Sequence, residues 1–209
     1  MANKFFVTGI GTGIGKTLVS AILTRALEAD YWKPVQAGFE NGTDSDLIRQ
    51  YNRNCTVHPE VYKLRLAASP HIAAREEGTI ISVGNIAEKM PLTNRNLIIE
   101  GPGGLMVPLN QNEFVIDLIK ALSVKVILVS RNYLGSINHS LMSSELCKQK
   151  GIAVSGWIFN DQYLSYEQEV VSWSGFPKIA SVPFSTYLDE SFIEGQADLF
   201  RERLATFYD

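Results

Sequence analysis

Nine residues, Gly9-Ile10-Gly11-Thr12-Gly13-Ile14-Gly15-Lys16-Thr17, constrain this chain more than any other stretch. An apolar run, Phe5-Phe6-Val7, enters the segment, and a helical run over residues 18–28 leaves it. A strand, a glycine-rich turn, Lys-Thr and a helix form the layout of a phosphate-binding loop. Successive backbone N–H groups cradle an oligophosphate, the helix N-terminus adds partial positive charge, the lysine reaches the outer phosphates, and the hydroxyl holds magnesium. The spacing is a variant: the usual glycine six residues before the lysine is Ile10, and Gly9 sits one place earlier. No Gly-x-Gly-x-x-Gly register fits, which excludes the dinucleotide fingerprint.

The rest of the chain repeats the same alternation. Apolar runs at residues 4–8, 31–35, 97–100, 125–130, 154–160 and 178–182 read as strands. Helical patterns cover 16–29, 44–51, 72–77, 83–89, 113–122, 137–150, 166–172 and about 189–207. Strands that are apolar throughout and separated by helices predict a doubly wound α/β fold: a mostly parallel sheet with helices on both faces, as in P-loop NTPases. A length of 209 residues fits one domain, residues 1–209. A net charge of -3 leaves no basic footprint for nucleic acid. Cys55 and Cys147 are spaced as neither a disulfide framework nor a metal cluster, so a reducing cytoplasm is expected. No signal peptide or membrane-spanning apolar run is read, so no membrane partner is expected.

In such sheets ligands lie beyond the carboxyl ends of the strands. The residues that follow the predicted strands therefore form one group: the phosphate loop, Lys33-Pro34-Val35-Gln36-Ala37-Gly38, Glu100-Gly101-Pro102-Gly103-Gly104, Ser130-Arg131-Asn132 and Asn160-Asp161. Magnesium takes oxygen ligands and keeps few protein groups, so Thr17, Glu100 and Asp46 are its candidates. Asp46 equally fits a residue complementing a helix dipole. Lys33 suits a cation neutralising a transferring phosphoryl group, or an edge-strand lysine reaching water. Gly135-Ser136-Ile137-Asn138 opens a helix whose first N–H groups can hold a carboxylate, although a plain helix cap reads the same way. His58, His71 and His139 carry no pattern that sets them apart from surface residues.

The ordered set Phe6-Val7-Thr8-Gly9, Thr12, Gly15-Lys16-Thr17, Lys33-Pro34-Val35-Gln36, Gly38, Asp46, Ser69-Pro70-His71, Glu100-Gly101, Gly103-Gly104, Leu134-Gly135, Ile137-Asn138-His139, Gly156-Trp157 and Asn160 resembles the dethiobiotin synthetase family over residues 4–161. The resemblance implies a phosphate-loop homodimer that joins 7,8-diaminononanoate (diaminopelargonate), CO2 and ATP through a carbamate and a carbamic-phosphoric anhydride. It implies that Gly13, Ile14, Gly15 and Lys16 hold the phosphates, and that Thr17, Asp46 and Glu100 hold Mg2+ on the nucleotide. Lys16, Lys33 and Thr12 carry the chemistry, with Thr12 and Lys33 at the carbamate, and Asn160 bonds the adenine. Gly135, Ser136, Ile137 and Asn138 receive the diamine's carboxylate from across the dimer interface.

Three positions depart from that pattern. Ala37 replaces a serine or threonine, Gly13 replaces an acidic residue found in many members, and Pro102 replaces an alanine. The rival reading is a regulatory ATPase of the partition or septum-positioning class. Those proteins carry a lysine near the start of the loop, where this chain has Gly11, and a membrane-binding amphipathic tail, which the acidic and basic residues from Asp198 onward do not suit. A GTP switch would bring Asn-Lys-x-Asp, which Asn160-Asp161 does not begin.

Overall fold

A computed structural model describes residues 2–161 and 164–208, with side chains as far as residue 204; Asp209, the last residue of the predicted tail, lies outside the described residues. In chain order the elements are β1 Lys4–Gly9, α1 Lys16–Ala26, β2 Asp30–Trp32, β3 Val35–Ala37, α2 Asp44–Tyr51, β4 Val57–His58, β5 Tyr62–Leu64, α3 Pro70–Glu76, α4 Val83–Glu88, β6 Leu97–Gly104, α5 Val115–Leu122, β7 Lys125–Arg131, α6 Ser136–Gln149, β8 Val154–Asn160, α7 Glu167–Ser174, β9 Lys178–Val182 and α8 Glu190–Tyr208. Seven strands form one sheet in the order β4-β2-β6-β1-β7-β8-β9. Every pairing in it is parallel.

Alternation along the central strands divides the core in two. Phe6, Ile99 and Leu128 point to one face with Val115, Leu118 and Ile119 of α5. Phe5, Val7, Ile98 and Ile127 point to the other, against Val19, Ile22 and Leu23 of α1 and Ile193 and Phe200 of α8. Both faces are covered, which is why the central strands are apolar at every position. The chain runs from β1 to β2 and β4 on one side, returns to β6 beside β1, and continues through β7, β8 and β9 on the other. The order therefore reverses at β1, and open parallel sheets bind ligands at such a reversal, beyond the strand carboxyl ends.

The predicted strand over 31–35 is corrected. Pro34 has no N–H to donate to a ladder, and the chain breaks there into β2 of the main sheet and β3 of a separate pair, β3-β5. The carbonyl of Pro34 accepts from Val61 and Tyr62 instead. Lys33 is therefore a buried residue at a strand break, not an edge-strand lysine. The helix predicted to reach residue 29 stops at Ala26, and Glu28 turns the chain at φ 48°. The strand predicted to stop at Glu100 runs on through the glycine-rich segment to Gly104. Strands β4 and β5 hold two and three residues, too few to leave a periodic signal. Among the described residues no helix is long and apolar enough to cross a membrane. Both cysteines are free, and Cys147 packs in the core with its thiol pushed up by burial to about 12.

Candidate active site

The glycine-rich loop is shaped by close contacts. A Cβ on Gly9 would lie 2.5 Å from the Val129 carbonyl oxygen and 2.1 Å from the Ile14 side chain, so the tight approach falls at Gly9 and leaves Ile10 free to carry a side chain. Gly15 caps α1 at φ 89°, a conformation that only glycine adopts readily. A Cβ there would meet Asn160 Nδ2 at 1.8 Å. The same Nδ2 donates to the Ile14 carbonyl at 2.9 Å, so Asn160, at the end of β8, clamps the loop onto the sheet. Lys16 Nζ donates to the Gly11 carbonyl at 2.8 Å and lies across the loop. Burial pulls its ammonium down to about 8, with Glu100 and Asp44 opposing the fall and Lys33 adding to it.

Beside the loop sits a compact set of charges. The Thr17 hydroxyl lies 2.6 Å from Asp44 Oδ1 and 3.0 Å from Glu100 Oε1, with one proton to share between them. Lys33 Nζ donates to Glu100 Oε1 at 3.1 Å and pairs with Asp44 Oδ2. Tyr31 donates to the other oxygen, Glu100 Oε2, at 3.0 Å. Glu100 is 1 % exposed and Lys33 6 %. Burial pulls the Lys33 ammonium down, but the facing carboxylates of Glu100 and Asp44 outweigh it and leave it above its ordinary range. Burial likewise raises the Asp44 carboxyl, and Lys33 more than offsets that, leaving it below the carboxylate range. Burial and the Glu100 charge lift the Tyr31 phenol well above its ordinary value.

The structure corrects the sequence reading of Asp46. Its side chain is 56 % exposed and bonds Arg49 at 2.9 Å. It accepts from the Thr43 N–H at 3.0 Å and the Thr43 hydroxyl at 2.8 Å, while the Thr43 side chain accepts from the Asp46 N–H at 3.1 Å. That reciprocal arrangement is a capping box at the start of α2. These bonds to Thr43 hold the Asp46 carboxyl below its ordinary range. Asp44, on the first turn of the same helix, is the acid that meets Thr17 and Lys33. The signal was in the sequence: Thr43-x-x-Asp46 is the capping-box spacing, and it assigns the second acid to the helix.

A cleft of about 720 Å³ opens over this set, lined by the loop, the charged cluster, Gln36, Ala37, Ser69, Pro70, Pro102 and Gly103. The structure thus gathers Thr12, Gly13, Gly15, Lys16, Thr17, Lys33 and Glu100 on one wall system, with Ile14 and Asn160 holding the loop from behind. The start of α6 is not part of that lining. Gly135 caps α6 at φ 101°. The Ser136 hydroxyl is taken up with Tyr166 Oη at 2.6 Å, so its side chain fixes the turn rather than facing a ligand. Ile137 is packed toward the core and Asn138 is exposed, its Nδ2 directed at Met142. His71 pairs with Ser69 and His139 with Tyr133, so neither histidine enters the cleft.

Three comparisons locate this geometry among known proteins. The family model described as an AAA domain matches residues 3–191. Among solved structures, a MinD cell division protein of Aquifex aeolicus aligns at TM-score 0.58 and 15% identity over 96% of this chain and 97% of that one. A ParA family ATPase of Chlorobium tepidum aligns at TM-score 0.56 and 15% identity over 98% and 92%. At that identity the likeness is one of fold, a mostly parallel P-loop sheet. Curated sequences are far nearer. The ATP-dependent dethiobiotin synthetase of Cytophaga hutchinsonii is 54% identical over 161 residues, 76% of this chain and 77% of the relative. That of Christiangramia forsetii is 42% identical over 207 residues, 98% and 99% of the two chains. The chain therefore belongs to the ATP-dependent dethiobiotin synthetase family.

Proposed function

We propose that this enzyme closes a cyclic urea from 7,8-diaminononanoate, CO2 and ATP, giving dethiobiotin, ADP and phosphate. The observation that carries the reading is the convergence of two lysines, a threonine hydroxyl and two carboxylates on the phosphate loop in a cleft large enough for a small substrate. One amine and CO2 form a carbamate, releasing a proton. A carbamate oxygen attacks the γ-phosphorus and ADP leaves, giving the mixed anhydride. The second amine then attacks the carbamoyl carbon and phosphate departs, which closes the ring.

Thr17, Asp44 and Glu100 are hard oxygen donors, and their convergence fits Mg2+, which needs few protein ligands when a phosphate supplies others. When bound, the ion neutralises phosphate charge. Lys16, held over the loop, stabilises charge on the transferred group, as preorganised donors do in a dry site. Lys33 and Thr12 face the carbamate and the transferring phosphoryl. Asn160 keeps the loop in shape through its bond to the Ile14 carbonyl and is the residue proposed to bond the adenine. Ala37 gives the substrate no hydroxyl. Beside it, Gln36 turns its Nε2 onto the Gly38 carbonyl at 2.7 Å, and its Oε1 meets no donor among the described residues.

The homodimer reading draws on α6. That helix buries Ser136, Ser140, Ser144 and Cys147, while Met142 on the helix and Leu134 in the turn before it stay exposed. An apolar outer face on a helix end is a common mark of an interface. Placed against a second copy, it brings the α6 N–H groups to the partner's cleft, where they receive the diamine's carboxylate.

The mechanism has a direct test. Run briefly with freshly added 18O-bicarbonate, the reaction is expected to place label in inorganic phosphate, because the departing phosphate keeps the carbamate oxygen. Unlabelled phosphate alongside dethiobiotin formation would overturn the mixed anhydride.

A further inference from the structure

The buried carboxylates have two claimants. Glu100 Oε1 accepts from both Thr17 Oγ1, at 3.0 Å, and Lys33 Nζ, at 3.1 Å. Asp44 meets Thr17 through Oδ1 and Lys33 through Oδ2. The ammonium thus touches the same two acids that converge on Thr17. A carboxylate as deeply buried as Glu100 requires a counter-charge. Lys16, the other cation of the cleft lining, bonds the Gly11 carbonyl, and it is Lys33 that pairs directly with both carboxylates. A divalent ion on Thr17, Asp44 and Glu100 draws on the same carboxylates and repels an ammonium held against them. The two cations therefore compete, most directly at Glu100 Oε1, the oxygen that Thr17 and Lys33 share.

We infer that Lys33 and the magnesium ion exchange at Asp44 and Glu100. The ammonium neutralises the two acids in the metal-free enzyme, and metal loading releases it into the cleft, toward the carbamate and the transferred phosphoryl. The inference rests on the magnesium assignment above and goes beyond it. Lys33 is then a single cation with two positions, and the metal-nucleotide complex readies it for the reaction. The device also keeps a pair of buried acids from standing uncompensated while the site waits for nucleotide.

The test compares the full-length wild-type protein with Lys33→Gln, without nucleotide. Mn2+ binding is read by electron paramagnetic resonance, and melting is read in EDTA and in Mg2+. Loss of the competing cation is expected to tighten Mn2+ binding roughly tenfold or more. It is also expected to lower the metal-free Tm and to enlarge the rise in Tm that Mg2+ brings. A purely structural lysine would lower Tm and leave Mn2+ affinity where it was, and equal affinities in the two proteins would overturn the exchange alone. No Mn2+ bound by either protein would overturn the metal assignment and the exchange with it. A measurement on wild type stands in if the variant does not fold. Amine acylation mapped by mass spectrometry is expected to be slow at Lys33 in EDTA and faster in Mg2+, and an unchanged rate would contradict the release.

Discussion

Two acids on one helix turn, Asp44 and Asp46, separate the chemistry from the scaffold. Asp44→Asn removes a charge that faces Thr17 and Lys33, and turnover is expected to fall on the order of 10²-fold with a weakened magnesium dependence. Asp46→Asn disturbs only the cap of α2. Turnover should stay within about twofold, and stability should drop by no more than about 1 kcal/mol in a denaturant melt. Equal losses in both variants would contradict the assignment. Lys16 adds a pH dependence whose sign follows from burial. Its ammonium, the form that attracts phosphate, is depressed to about 8. Below that pH the group is charged in the free enzyme; above it the charge is lost. The kcat/KM for ATP, which reports the free enzyme, is therefore expected to fall above pH 8. The kcat at saturating ATP should hold to higher pH, because bound phosphate favours the charged form. A flat kcat/KM to pH 9.5 would remove Lys16 from anion recognition.

At the scale of elements, the loop and its clamp act together. Gly13 and Gly15 both have positive φ, but a side chain at Gly13 meets open space, whereas one at Gly15 drives into Asn160. Gly13→Ala is expected to cost about 1–2 kcal/mol of backbone strain and to keep nucleotide binding. Gly15→Ala should break the Asn160–Ile14 bond and abolish measurable ATP binding in calorimetry. Much of this architecture was legible in the sequence, since the apolar runs of β1, β6, β7, β8 and β9 and the helices between them follow from periodicity alone. The strand read over 31–35 runs through Pro34, because a missing ladder donor fits an edge strand as well as a break; that the next residues join a second sheet depends on β5, three residues long. The site was partly legible. Lys16, Thr17, Lys33 and Glu100 stand beside recognisable strand ends, and they converge. Asp44 was hidden by its neighbour, because two acids at helix-start positions look alike until the cap is paired. Tyr31, which braces Glu100, carries no signal in the sequence beyond its place in a strand, since its hydroxyl partner lies 69 residues away along the chain.

For the whole molecule, the proposed homodimer would divide the site between a cleft in one copy and the α6 end of another. Leu134, 91 % exposed, and Met142 are the apolar side chains exposed at this end of α6, and the proposed interface would cover them. The double variant Leu134→Glu and Met142→Glu is expected to sediment as a monomer, to keep its fold by circular dichroism, and to lose diamine-dependent turnover while still binding ATP. A dimer that survives both charges would move the interface elsewhere. The fold alone does not identify a ligase, because a ParA family ATPase and a MinD cell division protein share it. That distinction is made by what must be present for ATP to be cleaved. The most direct measurement is ADP release from ATP and magnesium by the wild-type enzyme, with bicarbonate and the diamine added singly and together. ADP is expected only when both are present; release indifferent to them would contradict the ligase and leave a bare ATPase in its place.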